Sequence, residues 1–421
     1  MKQSIFKSLA DLRFAIGILL LIACSSVIGT IIEQDQSLET YKLNYPLTNR
    51  IFGFLSWDII LKFGFDHIYK TWWFISFIIL FGISLLTCTL IQQVPSLKIA
   101  RRCQFFRTSN QFQKLKLFRQ FENSNLTKFF FKLKKNKYSI FQQKNILYCY
   151  KGIIGKIAPI VVHFSMILIL IGSVIGSLGG FKAQEIIPKT ETFHIQNILS
   201  AGQLTKIPKI STRVNDFWIT YTKRKAINQF YSDISILDNT GNEIKRKTIY
   251  VNSPANFNGI KYYQTDWNLI GLRIKNNNSV VLQYPFISLL NQREKIWISW
   301  ISMNQNFSDG FTILINNLQG YCSVYNKFGL FLGNLELNET FEKDFAFSIL
   351  DIISSTGLQV KMDPGIPLIY TGFGFLMLST LISYFTYSQI WVVQDQKKVF
   401  IGGNTTRAIL DFELEFFELS K

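Results

Sequence analysis

Hydrophobic and polar positions along this 421-residue chain fall into two regimes. Four stretches carry no charged residue: Phe14–Ile32, Trp72–Gln92, Ile157–Leu178 and Ile366–Ser388. A bilayer core of about 30 Å takes about 20 apolar residues in a helix, so each is long enough to span one. The first follows Lys2, Lys7 and Arg13 as a secretory signal would. Its apolar run is long, however, and ends in Ile31-Ile32-Glu33 without a small-residue cleavage site, so it reads as an uncleaved helix.

Between the third and fourth runs the period changes. Residues 179–365 hold short aromatic and β-branched segments broken by turn residues, the pattern of strands. Phe217–Thr222 and Phe230–Leu237 lead through Asp238-Asn239-Thr240-Gly241 into Glu243–Val251, which predicts a hairpin. Further strands are predicted at Lys261–Thr265, Leu269–Ile274, Val280–Tyr284 after the Asn276-Asn277-Asn278 turn, Trp297–Ile301 and Phe311–Ile315. The expected fold is a membrane protein with four transmembrane α-helices, three N-terminal and one C-terminal. A large β-rich extramembrane domain, a sandwich or an open barrel-like sheet, lies between helices three and four.

Charge orients this arrangement. Only 17% of residues are charged, yet the net charge is +18, and segment 93–156 holds fifteen Lys and Arg against the single acid Glu122. The positive-inside rule places that segment on the cytoplasmic or stromal side, together with residues 1–13 and the tail 389–421. The loop 33–71 and the block 179–365 then lie on the far side, where the Trp72-Trp73 pair suits the headgroup region. A basic run also fits contact with anionic lipid, which the Phe129-Phe130-Phe131 cluster favours, or nucleic acid, which nothing else in the chain supports.

The chemistry of the side chains excludes several classes. The five cysteines, Cys24, Cys88, Cys103, Cys149 and Cys322, form no C-x-x-C pair, so neither thiol oxidoreductase chemistry nor a four-thiolate metal site is supported. No phosphate-binding loop, nucleophile elbow, H-E-x-x-H or dinucleotide fingerprint occurs. Of the three histidines, His67 reads as an interfacial polar residue and His194 as a surface or turn residue. His163 differs, because it sits in the third apolar run about 9 Å from its start by helical rise. An ionisable group at that depth needs a partner: either an interhelical hydrogen bond or a metal or haem iron. On the same helix Gly172, Gly176 and Gly179-Gly180 offer a small-residue face for close helix approach.

The order of several strings resembles the ResB/CcsB family of c-type cytochrome biogenesis proteins, the larger membrane partner of the System II haem-attachment pathway. They are Leu12-Arg13-Phe14-Ala15-Ile16, Ile28-Gly29-Thr30-Ile31-Ile32, Phe65 to Phe74, and His163 with Leu168 to Gly172. Tyr263-Gln264-Thr265-Asp266-Trp267, Ser355-Thr356-Gly357-Leu358-Gln359, Asp363-Pro364-Gly365 and Ser388-Gln389-Ile390-Trp391 follow. Glu33 departs from the family, where proline is expected.

The resemblance implies a role in bringing reduced haem b across the membrane with a CcsA-type partner and presenting it to the C-x-x-C-H motif of apocytochromes c and f. It implies that His163 is an axial haem ligand within the membrane, paired with a histidine of the partner. The outer haem site belongs to the partner and is not carried onto His67 or His194. The implied location is the thylakoid membrane of a chloroplast, a setting that the Lys-, Asn-, Ile- and Phe-rich composition of an AT-rich genome also suits, with the β-rich domain in the lumen. No catalytic residue is expected in this chain. The competing expectations are a haem-independent scaffold for a photosynthetic complex and, more weakly, a transporter subunit.

Overall fold

A computed structural model describes every residue except 1, 49, 51–54, 123–124, 224–225, 239, 277–279, 290–295, 304–308, 317, 319–320, 343–345, 396–397 and 421. Asn239 of the predicted hairpin turn and Asn277-Asn278 lie outside the described residues. The chain divides into two compact units, residues 1–177 with 365–421, and residues 178–364.

The first unit contains four helices long and apolar enough to cross a membrane: Leu12–Ile31, Trp72–Arg101, Ile154–Gly179 and Ile366–Ser383. They are called the first to fourth long helices below. The first is capped by Asp11, whose carboxylate accepts from the Arg13 amide. The second continues past Gln92 through a π-helical turn, Thr89–Gln93, into Val94–Arg101, whose last turn carries the basic residues Lys98 and Arg101. The third and fourth meet through glycine. A Cβ on Gly172 would lie 2.8 Å from Ile369 Cγ1 and 3.0 Å from the Gly365 carbonyl, and one on Gly372 would lie 2.6 Å from Ile169 Cγ1. Close backbone approach replaces the hydrophobic drive that lipid does not supply.

The basic segment and the tail form one sheet. Its strand order is 117–122, 398–405, 388–395, 146–151, 139–143, all antiparallel, so its two inner positions beside 146–151 come from the last 34 residues of the chain. On one face Leu147, Cys149, Ile390, Val392 and Ile401 pack under the helices Leu126–Lys135 and Ile409–Ser420. On the other, Tyr148, Trp391 and Val393 cover Phe112, with Phe106 stacked on Trp391 at 4.6 Å. This corrects the expectation for the phenylalanine cluster. Phe129 is 3% exposed and belongs to the core, Phe130 packs against it, and only Phe131 faces outward.

The second unit is β-rich, as expected, and is built around one long ladder. Strands Ile260–Asn276 and Ala346–Met362, each 17 residues, pair antiparallel along nearly their whole length. The sequence reads 261–265 and 269–274 as separate strands because the alternation breaks between them. In the structure they are one strand, with register shifts at Gln264/Asp266 and Leu269/Gly271 absorbing the break. The shifts divide the ladder between two cores. Its 260–262 and 358–360 ends pack with Val214, Ile234, Ile236 and Ile249 of the four-stranded sheet. Its 269–274 and 347–352 portions pack with Trp297, Ile301, Phe311, Ile313 and Val324 of the five-stranded sheet.

At the crossing of the two cores Gln264 accepts from Thr356 at 2.6 Å and from Ser232, and its amide donates to the Asp266 carbonyl at 2.7 Å. All three side chains are buried. Gly357 faces Asp266 across the ladder, where a Cβ would approach Asp266 Cβ to 2.8 Å. Two of the strings that carry the family resemblance, 263–267 and 355–359, are therefore cross-strand neighbours.

Two outcomes follow. Gly172→Val should lower the unfolding free energy of the detergent-solubilised full chain by about 1–3 kcal/mol, the usual cost of overpacking. Gly17→Val should not do so, since nothing lies within 4 Å of Gly17, and equal losses at the two positions would refute glycine-mediated packing. Truncation after Ser383 removes two inner strands of the first unit's sheet. Limited proteolysis of the truncated protein should then cut within 117–151 faster than that of the full chain.

Candidate functional site

The third long helix carries His163 on the face turned toward the second. Thr89 opens the π-helical turn, and its Oγ1 lies 2.9 Å from His163 Nδ1 and 2.7 Å from the Leu85 carbonyl oxygen. A threonine hydroxyl has one proton. Spent on the Leu85 carbonyl, as hydroxyls in apolar helices commonly are, it leaves Oγ1 as acceptor, so His163 Nδ1 is the donor. The neutral imidazole then has its lone pair on Nε2. Orientation of a ligating imidazole by a hydrogen bond at its other nitrogen is the usual arrangement around metal-bound histidine.

Thr89 stands where the α-helix Trp72–Cys88 passes into the π-helical turn. A π-turn inserts an extra residue and shifts the side chains on either side, and such turns concentrate at functional sites. Its far end is tied down: Gln92 Nε2 donates to the Ala10 carbonyl at 2.9 Å, and Ser84 Oγ, one turn before Thr89, donates to the Leu9 carbonyl at 2.7 Å. Both contacts fall on the break between the short helix Lys2–Leu9 and the first long helix. An apolar cleft of about 290 Å³ runs between the second and third helices, lined by Gly82, Ile83, Leu86, Ile167, Ile171 and Val174, and starts about one turn after His163.

The other predicted residues lie elsewhere. His67 Nδ1 is 2.8 Å from Asp66 Oδ2, at the start of a short 3-10 turn, and its side chain is about half exposed. His194 ends a short exposed strand, with Nδ1 3.4 Å from Ser211 Oγ. Cys322 and Cys149 are fully buried in different cores, and burial pushes each thiol up to about 12, so both stay protonated at neutral pH. No cluster of three or more His, Cys, Asp or Glu that could hold a metal ion occurs among the described residues. Thr89 was not singled out in the sequence. The one signal was its polar character inside an apolar run, which it shares with Ser76, Ser84 and Thr87.

Comparison with known proteins bears on what such a chain does. The ResB-like family matches residues 12–329 and 326–417. The cytochrome c biogenesis protein Ccs1 of Thalassiosira pseudonana is 71% identical over 421 residues, the whole of both chains. Ccs1 of Porphyra purpurea is 45% identical over 98% of this chain and 94% of its own length. The cytochrome c biogenesis protein CcsB of the cyanobacterium Trichormus variabilis is 44% identical over all of this chain and 92% of its own length. Full-length similarity of this degree, on a chain with four apolar helices and a large β-rich unit, means that the protein belongs to the ResB-like family of cytochrome c biogenesis proteins.

Proposed function

We propose that the protein delivers haem b for covalent attachment to apocytochromes c and f, in a complex with a CcsA-type membrane partner. The observation that carries this reading is the Thr89–His163 pair, an imidazole in an apolar helix with Nδ1 engaged by Thr89 and with no side-chain partner at Nε2 among the described residues. In lipid a histidine is costly, and one whose second nitrogen is left free is suited to bind iron. This chain supplies one axial ligand, so the second comes from the partner.

Positive-inside orientation puts residues 1–13, 93–156 and 389–421 in the stroma and residues 33–71 and 179–365 in the thylakoid lumen, with three spans before the β-rich unit and one after it. The haem supplies the reactive groups of the final step. Each cysteine S–H of the apocytochrome adds across a haem vinyl group, sulfur to one carbon and hydrogen to the other, with no net redox change. This chain holds and orients, and the addition asks no catalytic side chain of it.

In the purified complex with its partner, the wild type should show a bis-histidine haem spectrum that His163→Ala loses and added imidazole restores. Identical haem content and bands in the variant would leave His163 as an interhelical hydrogen-bonder and the protein as a haem-independent scaffold. Thr89→Val removes the acceptor for Nδ1–H and should weaken haem binding on the order of 10–100-fold, as loss of such orienting bonds does, while Thr89→Ser retains it. Titration of haem into the three proteins checks this.

A further inference from the structure

The second and third long helices also border a second cavity, of about 300 Å³, toward the start of the third helix. Its lining is mixed: Gln92, Ser96, Gln104, Lys156 and Gln389 stand beside apolar residues such as Ile99. Gln92 belongs to the π-helical turn that Thr89 opens. Lys156 precedes His163 by seven residues, so the two project from the same face of the third helix about two turns, or about 10 Å, apart. The cavity thus lies on the helix face that carries His163, about two turns toward the helix start.

Its construction is specific. A Cβ on Gly152 would collide with the carbonyl oxygen of Thr386, and one on Gly155 with that of Phe385, so the two glycines let the chain after the fourth helix press against the start of the third. That contact seats the Tyr387 ring 5.5 Å from Lys156 Nζ. Two polar groups on this wall are already committed. Tyr387 donates to the Ala100 carbonyl at 2.9 Å, and Gln389 Nε2 donates to Tyr148 Oη at 2.7 Å. Burial pushes the Tyr387 phenol up, which keeps it protonated and donating.

The Lys156 ammonium is not committed in this way. Among the described residues no carboxylate pairs with it, and the one acid of segment 93–156, Glu122, lies 3.4 Å from Lys398. A half-buried cation facing this cavity, with no anion of its own, favours an anionic ligand.

We propose that this cavity receives the propionate carboxylates of the haem bound at His163, with Lys156 as their counter-cation. The proposal rests on the haem-delivery reading above. Haem is an apolar macrocycle with both carboxylates on one edge. The apolar cleft one turn after His163 and the cationic cavity two turns before it match those two characters in order along one pair of helices. Binding in this sense turns the vinyl-bearing edge away from Lys156.

The test compares haem with its dimethyl ester on the full chain in nanodiscs of neutral phospholipid, for wild type, Lys156→Gln and Lys156→Arg. Wild type should prefer the free acid about tenfold or more, the gain of a charge-assisted hydrogen bond. Lys156→Gln should lose that preference with ester binding unchanged, and Lys156→Arg should keep it. A preference that survives Lys156→Gln overturns the proposal, as does an equal loss for both ligands. Nanodiscs containing phosphatidylglycerol form a further arm: if anionic lipid abolishes the wild-type preference, the cavity is a lipid-headgroup site and the proposal fails. His163→Ala separates the two readings. A free-acid preference that depends on Lys156, together with an axial spectrum that does not depend on His163, would remove the ligand assignment and leave the anion site.

Discussion

Hydrocarbon offers no water to hydrogen-bond, and the arrangement of the long helices follows from that constraint. Most hydroxyls in them return a bond to their own helix: Ser25 to Leu21, Ser26 to Ile22, Thr87 to Ile83, Ser165 to Val162 and Ser379 to Leu376. The exceptions hold the bundle together. Ser84 reaches the Leu9 carbonyl, Ser177 the Tyr69 carbonyl, and Thr89 the imidazole of His163. Thr89 differs from the first two because it also returns its proton to its own helix, and so presents an acceptor to its neighbour. That fixes which nitrogen of His163 carries hydrogen and gives the histidine a use beyond joining two helices.

The β-rich unit meets a different constraint. A single ladder of 17-residue strands is too long to cover with one opposing sheet, and a regular twist would carry its far end out of register with any flat partner. Bulges at Gln264/Asp266 and Leu269/Gly271 turn the ladder so that each portion faces its own sheet. At the bend, where the two cores meet, the Gln264 amide donates to the Asp266 carbonyl while its oxygen accepts from Ser232 and Thr356. A buried amide with its bonds filled fixes register there in a way that apolar side chains could not.

The apolar helices are legible because about twenty uncharged residues in a row have one physical meaning, and the strands at 217–222, 230–237 and 243–251 because aromatic and β-branched runs flank a turn sequence. Ala346–Met362, the partner strand of the central ladder, was not read as a strand. It is buried on both faces, so Ile349, Ile352, Ser354, Ser355 and Leu358 show no period of two. The sheet of the first unit was missed for another reason. Lys-rich edges mask strands 117–122 and 139–143, and the strand that joins 146–151 to the rest of the sheet, 388–395, lies some 240 residues away. His163 stood out at once, since a lone ionisable residue in an apolar run is conspicuous. Thr89 did not, because whether a membrane threonine bonds its own helix or a neighbour depends on the π-turn, and that turn has no sequence signature of its own.

A carrier must bind its cargo without keeping it, and the geometry around His163 bears on both requirements. On the proposed reading, one imidazole from this chain would leave the opposite axial position of a haem iron to another protein, so that neither chain alone would hold the iron by two bonds. The ring is held by neutral groups, the Thr89 hydroxyl and the Leu85 carbonyl, rather than by a carboxylate, which would raise the basicity of Nε2 and tighten an iron bond. A weaker axial bond would shorten residence, while a carboxylate contact at Lys156 would add an electrostatic term that is strongest for a diacid edge. Affinity divided among a partner's ligand, a modestly basic imidazole and a carboxylate contact can be released one contact at a time, at lower barriers than a single strong bond would set. A carboxylate in place of Thr89 would bind iron better and serve a carrier less well.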